Sequence, residues 1–355
     1  MKPVMKRSTL VLLAGCACAC GSSTNQGDAG DTQDSATSSP DSGADSSPAK
    51  DSATGDVSSD SSDSSSGTGP VIFVIPLENK AQAQIYGDTT DAPYINGTLL
   101  TTYAHTTMFA DELPPLPSEP HYIWIESGTN QFSDHTFTTD NDSSASNSTS
   151  STAHLVTQLN AASISWTSYQ EGITSGTCPI ASVTGTFYAA KHNPFVFFQD
   201  VAGNPPSASN TGCADHHKPI TDLATDLQNG TVATYNFVTP NLCHDMHGDP
   251  GCTQGTSTSG NIQAGDNWLK ANLQPMIDYA SAHDGFVFIT WDQGSGTDFT
   301  IPFIAIGKKV IAGHTGSVMY THSSLLKSEE EILGVPVLSA VTSANDFSDL
   351  FTSFP

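Results

Sequence analysis

Val71-Ile72-Phe73-Val74-Ile75-Pro76-Leu77-Glu78-Asn79 decides the fold class. Its apolar residues run on without alternation, so neither face of the segment is made for water, and the pattern is that of a strand buried on both faces of a mainly parallel sheet. Glu78 and Asn79 then fall at the carboxyl end of that strand, where open α/β sheets bind ligands. A first-turn helix carboxylate is an equally good reading of Glu78 when the motif is taken alone. Further strands are expected at Ala104 to Phe109, Ile164 to Tyr169, Tyr235 to Thr239, Phe286 to Trp291 and Ile301 to Ile306. Between them, helices are expected from Ser118, from His154, from Gly265 to about His283 and from Thr321. In the third of these, Trp268, Leu269, Leu273, Met276, Ile277 and Ala280 recur at helical spacing and read as core. The alternation predicts an α/β domain whose mainly parallel central sheet is flanked by helices.

Working outward, Pro117-Ser118-Glu119-Pro120-His121-Tyr122 follows an extended Pro-rich run. Ser118 therefore lies at or near a helix N-terminus, with Pro120 in the tolerant first turn. Free N–H groups and the positive end of the dipole suit a nucleophile that holds a phosphoryl or acyl group, although a plain N-cap explains a serine here too. Other segments deliver polar groups to comparable places. Pro240-Asn241-Leu242-Cys243-His244-Asp245-Met246-His247 follows a strand, and the Asp245/His247 spacing lets a carboxylate and an imidazole point the same way, as ligands do. Asp292 and Gln293 end another strand, His322 stands beside a helix start, and Lys191-His192 before Asn193-Pro194 is free to face a cleft. Gln131 to Thr152 is rich in Ser, Thr, Asn and Asp and reads as a mobile surface segment or lid.

The chain has 36 Asp plus Glu against 11 Lys plus Arg, a formal net charge of -25, and its one arginine is Arg7. Nucleic-acid binding is excluded by this balance, because it relies on cationic side chains at the phosphates. A phosphate group here has to be held by a metal, by His, by Lys or by backbone N–H groups. At the N-terminus, Lys2, Lys6 and Arg7 precede a short apolar run, which reads as an export signal over residues 1–15. Leu13-Ala14-Gly15-Cys16 resembles a bacterial lipobox, implying acylation of Cys16; ordinary cleavage near Ala19 or Cys20 is the alternative. Residues 16–69 are mostly Ser, Asp, Thr, Gly and Ala and are expected to be a disordered linker, leaving residues 70–355 as the folded domain. Cys178, Cys213, Cys243 and Cys252 suit two disulfides in an exported protein. Three pairings are possible. Closeness along the chain favours Cys243–Cys252, which leaves Cys178–Cys213.

Taken together, Glu78-Asn79, Pro117 through Tyr122, Lys191 through Pro194, Pro240 through His247, Thr290-Trp291-Asp292-Gln293 and His322 resemble a family of bacterial and fungal phosphoesterases. That family includes acid phosphatases and phospholipases C and has an alkaline-phosphatase-like fold. The resemblance implies a hydroxyl nucleophile bound to a divalent metal. On this chain it assigns metal binding to Glu78, Asn79, Asp292 and Gln293, with Asp245 at a second metal position or in a phosphate cradle. It assigns nucleophilic attack to Ser118, places His247 and His322 with Asp245 either at that second metal position or in the phosphate cradle with a general acid for the leaving group, and gives secondary phosphate contacts to His121 and His192; Lys191, one of the few cations of the domain, is a candidate anion contact. Oxygen ligands with some His suit Mg, Mn, Ca or Zn alike. The family has Asp-Glu where this chain has Asp292-Gln293, which removes one charge from the ligand set. The expected activity is phosphomonoester hydrolysis of the acid-phosphatase type. A phospholipase C-type phosphodiesterase, acting on phospholipid, and a non-catalytic surface binding protein with a decayed site are the alternatives. The expected location is outside the cytoplasm, lipid-anchored to the bacterial cell envelope.

Overall fold

Eight strands form one mixed sheet in a computed structural model that describes residues 69–355. The strands are β1 (Ile72–Leu77), β2 (Ala104–Thr106), β3 (Trp166–Gln170), β4 (His217–Pro219), β5 (Tyr235–Thr239), β6 (Phe286–Trp291), β7 (Phe303–Gly307) and β8 (Thr315–Gly316). Their order across the sheet is β4-β3-β5-β1-β6-β7-β2-β8. β1 is central and pairs in parallel with both β5 and β6, so every one of its side chains is buried. This is the environment that its uninterrupted apolar sequence calls for. β7 runs antiparallel to β6 and β2, while the remaining pairs are parallel. The chain between Trp291 and Phe303 is too short for a helical crossover, so β7 has to return beside β6.

The α/β architecture expected from the sequence is the one observed, with two edge strands added. β4 and β8 are short, and β4 contains His217, Lys218 and Pro219, a composition with little strand propensity. The strand expected over Ala104 to Phe109 stops at Thr106 and continues as an isolated bridge between Phe109 and Tyr320. The long helix starts earlier than expected, at Thr258, and its expected core residues are all buried.

Helices position the rest. The Ser118–Ser127 helix packs against the His322–Leu333 helix and ends at Gly128, whose φ of 68° is left-handed. An added Cβ at Gly128 would lie 2.3 Å from Val341 Cγ1, so both backbone and space demand glycine there. The polar segment 131–152 is tied down rather than loose. Ser143 Oγ donates to Val196 O, Thr149 N to Phe197 O, and Ser150 N to Asp134 Oδ2. Its Asp140 and Asp142 side chains accept from the backbone N–H groups of Glu119 and Ser182 in distant segments, which composition does not reveal.

Disulfides join Cys178 to Cys213 and Cys243 to Cys252, the pairing that sequence proximity favours. Such bonds persist in oxidising compartments. Among the described residues no helix is long and apolar enough to cross a membrane. The export signal, Cys16 and the Ser/Asp-rich linker lie outside the described residues.

Candidate active site

The parallel strands deliver their polar ends to one edge of the sheet. β1 ends in Glu78 and Asn79, β6 in Asp292 and Gln293, and β5 leads through Pro240 into the turn that carries Asp245 and His247. Asn79 sits at φ 45° and Met246 at φ 79°, conformations that cost a non-glycine residue energy and concentrate at functional sites. Contacts hold both in place. Asn79 N donates to Asp292 Oδ1 at 3.0 Å, and Lys80 Nζ donates to Met246 O at 2.8 Å. Cys243–Cys252 closes the turn around Asp245 and His247.

Ser118 is the first residue of its helix, as expected, and its side chain does not cap it. Asp140 does so instead, accepting from Glu119 N at 3.0 Å. That leaves Ser118 Oγ to donate to Glu78 Oε2 at 2.9 Å, which joins the helix start to the end of β1. Gln293 Nε2 donates to Asn79 Oδ1 at 2.6 Å. Ser118 is thus hydrogen bonded to Glu78, and Asn79 to both Asp292 and Gln293, the two groups being joined through the Glu78–Asn79 peptide bond.

His192 lies between two acids, its Nε2 3.2 Å from Glu78 Oε1 and its Nδ1 3.3 Å from Asp245 Oδ2. Neither contact is aligned as a hydrogen bond, since both carboxylate oxygens lack a hydrogen-bond partner. The ring stacks on Tyr122 at 4.9 Å and stands 6.2 Å from the His247 ring, centroid to centroid. Burial, together with the positive fields of Lys191 and His247, pushes the His192 pKa well down. Burial first, and then the charges of Asp292 and Asp245, push Glu78 well up. Asp245 and Asp292 are also raised, chiefly by burial. Lys80 is lowered by burial.

Lys191 Nζ contacts Asp140 Oδ2 at 2.5 Å. Burial opposes its charge, but Glu78 and the Asp140 hydrogen bond outweigh burial and raise its pKa. His121 is fully engaged within the protein: Nδ1 lies 2.8 Å from Pro117 O and Nε2 2.8 Å from Asp111 Oδ1. Burial alone would lower its pKa, yet the Asp111 hydrogen bond and the charge of Asp292 raise it. His322 holds Trp291 O through Nε2 at 2.9 Å. Burial and the neighbouring His121 bring His322 down to about 4. His247 Nδ1 meets Gly248 O at 2.7 Å, and burial lowers its pKa as well.

Among the described residues no group of three or more His, Cys, Asp or Glu is arranged to hold a metal ion. The donor set expected at this place is different in kind, since it combines two carboxylates, two amides and a hydroxyl. It fits a hard divalent cation on one observation: Glu78 Oε1 and Asp292 Oδ2 are buried oxygens without a hydrogen-bond partner. Buried carboxylates are expensive unless paired or bound to metal. The Gln293–Asn79 pair leaves Gln293 Oε1 and a second lone pair on Asn79 Oδ1 as further oxygen donors.

Sequence reasoning missed Asp111, Glu112 and Asp140, and it named Tyr122 only as part of the motif without giving it a role. Asp111 and Glu112 come five and six residues after β2, close behind the strand expected over Ala104 to Phe109, and a search of the residues just beyond that strand could have found them. Glu112 accepts from Ser323 N at 2.9 Å and so anchors the helix that begins with His322. Asp140 has no local signal, because its partners are far away in the chain.

A model described as Phosphoesterase family matches residues 98–336. A phosphatidylinositol-3-phosphatase of Mycobacterium tuberculosis is 26% identical over 282 residues, covering 79% of this chain and 82% of the relative. A probable acid phosphatase of Kluyveromyces lactis is 28% identical over 279 residues, covering 75% of this chain and 58% of the longer yeast protein. Among solved structures, Ps i-CgsB in complex with k-i-k-neocarrahexaose aligns with a TM-score of 0.51 at 13% identity, over 79% of this chain and 75% of that one. At that identity the likeness shows the fold alone.

Proposed function

The chain belongs to the phosphoesterase family and is a phosphoric ester hydrolase, and from that premise we propose that it is a metal-dependent phosphomonoesterase with Ser118 as nucleophile. One observation carries the reading. The Ser118 hydroxyl, at a helix N-terminus, is hydrogen bonded to Glu78 beside the buried Asp292 and is not spent as a cap. Glu78, Asn79, Asp292 and Gln293 would hold a divalent cation (Mg, Mn, Ca or Zn), with Asp245 beside them. When bound, that ion would neutralise phosphoryl charge and make the Ser118 hydroxyl more acidic.

The protein's own groups do the rest. Ser118 Oγ attacks phosphorus, the ester bond to the alcohol breaks, and water later releases phosphate from the serine. Glu78 orients the hydroxyl through its hydrogen bond and takes its proton as Oγ bonds to phosphorus, and the alcohol oxygen gains a proton as the ester bond breaks. His247 and His322, each fixed through one ring nitrogen to a backbone carbonyl, serve the leaving oxygen and its proton. Lys191 and His192 face the phosphoryl oxygens, and helix N–H groups take the place of an arginine fork. The substrate is a small phosphate ester, with a phosphoinositide of the kind named for the mycobacterial relative as the lipid counterpart. We place the protein outside the cytoplasm, tethered to the envelope through an acylated Cys16.

The test is hydrolysis of a chromogenic phosphomonoester by the full chain, after chelation and again with each divalent metal. Turnover should return with metal and fall on the order of 10⁴-fold in Ser118→Ala. Turnover that survives Ser118→Ala would rule Ser118 out as the nucleophile.

A further inference from the structure

On the premise of the metal-dependent phosphoesterase reading above, we propose that Lys80 is a built-in cation of the site. Its ammonium is a positioning group that ties two ligand-bearing turns together, and it supplies charge that a second metal ion would otherwise bring, so the site takes one divalent ion. Nothing in the reading above uses Lys80, yet it directly follows Glu78-Asn79 and is only 6% exposed. A buried lysine has to find partners for its N–H groups and for its charge. Its Nζ donates to Met246 O at 2.8 Å and to Asn79 O at 3.3 Å. These carbonyls belong to the two site residues with positive φ, Asn79 at 45° and Met246 at 79°. One side chain thus spans from the end of β1 to the turn that carries Asp245 and His247.

Charge points the same way. Glu78, Asp245 and Asp292 are all buried, and three buried carboxylates call for compensating cations. Burial opposes the Lys80 charge, while Asp245, Glu78 and Asp292, in that order, favour it. Lys191 and His121 also act on these acids, but each has an acid of its own: Lys191 is paired with Asp140 and His121 with Asp111. Lys80 is held by carbonyls instead, so its charge acts on the carboxylates without using the oxygens that a metal needs. One divalent ion and this ammonium together match the three carboxylates. A second divalent ion would exceed them, and the carboxylate expected to hold it is turned to protein groups. Asp245 Oδ1 accepts from His247 N at 2.7 Å, and Oδ2 lies 3.3 Å from His192 Nδ1.

The experiment is calorimetric titration of Mn into the chelator-treated full chain, with melting temperatures recorded before and after metal. Wild type should bind one ion per chain. Lys80→Met keeps an unbranched stem without charge or donors. It should bind Mn about tenfold more tightly, because a neighbouring positive charge has gone, and its deficit in melting temperature should be largest in the chelated state. Lys80→Gln, which keeps a donor for the carbonyls, should tighten Mn binding equally and melt above Lys80→Met. Mn binding that is weaker or unchanged in both variants is what a merely structural lysine would give, and it would overturn the built-in cation while leaving the hydrolase intact. Two ions on wild type would overturn it as well, whether or not the variants fold. If the folded wild-type protein binds no divalent ion and hydrolyses no phosphomonoester, the metal-dependent reading has failed and the role of Lys80 falls with it.

Discussion

Gln293 is the residue at which this site departs from the charge pattern expected of its neighbours. Its amide nitrogen is spent on Asn79 Oδ1, so it can offer a cation only a neutral oxygen. Divalent affinity scales with the number of charged oxygen ligands. Gln293→Glu should therefore tighten divalent binding by about tenfold or more, read by calorimetric titration of Mn into chelator-treated protein. The same variant places another negative charge next to Asp292, Glu78 and Asp245, whose ionised forms burial already disfavours. It should consequently melt lower than wild type after chelation and gain more from added metal, because a ligand that binds the folded state stabilises it by mass action. Equal affinity in the two proteins would show that residue 293 is not a ligand. Sequence motifs pointed to most of this constellation, since Glu78, Ser118, Asp245 and Asp292 each stand at a strand end or helix start. They did not reveal that His121 is turned inward onto Asp111, because that pairing depends on where β2 leaves the sheet.

The Ser118–Ser127 helix shows how one element is set up for chemistry by another that looks featureless in sequence. Its preceding residue is Pro117, which has no side-chain acceptor, and its first hydroxyl is committed to Glu78. Asp140, from the polar 131–152 segment, supplies the missing acceptor through Oδ1 and holds Lys191 through Oδ2. Removing it should cost about 1 kcal/mol, as loss of an N-cap does, and also release Lys191. Asp140→Asn keeps an acceptor for Glu119 N but loses the ion pair, so the two variants separate the roles. In urea denaturation Asp140→Ala should be destabilised and Asp140→Asn nearly unchanged, while both lose phosphomonoesterase activity through the freed Lys191. Full activity in Asp140→Asn would show that the Lys191 contact is incidental. Buried strands such as β1 and β6 were legible because unbroken apolar runs have few other places to go. β4 was not, since His217-Lys218-Pro219 becomes a strand only because the edge of β3 is there to pair with it.

For the whole molecule, acidity is carried inside as well as outside. Away from the site, Glu126 bonds His154 at 2.9 Å, and His154 in turn meets Asp200 at 3.0 Å. Beside them, on the His322–Leu333 helix, Glu329 is fully buried with neither carboxylate oxygen hydrogen bonded. Burial first, then the charges of Glu126 and Glu330, push the Glu329 pKa well up. Glu330 is pushed up by burial to about 8 from an ordinary 4.5, even though Leu338 N donates to it. The sign follows from proton binding. Between pH 4.5 and about 8, the folded chain keeps a proton on Glu330 that the unfolded chain has lost, so raising the pH through that window favours unfolding. Glu329 acts in the same direction. Stability to urea should therefore fall from mildly acidic to mildly alkaline pH. Glu330→Gln combined with Glu329→Gln, which cannot ionise, should flatten the decline, matching wild type near pH 4.5 and exceeding it near pH 8. A double variant whose stability falls with pH as steeply as wild type would place the origin of the slope elsewhere. The carboxylates at the sheet edge would then be the next candidates, and the slope should shrink when divalent metal is added.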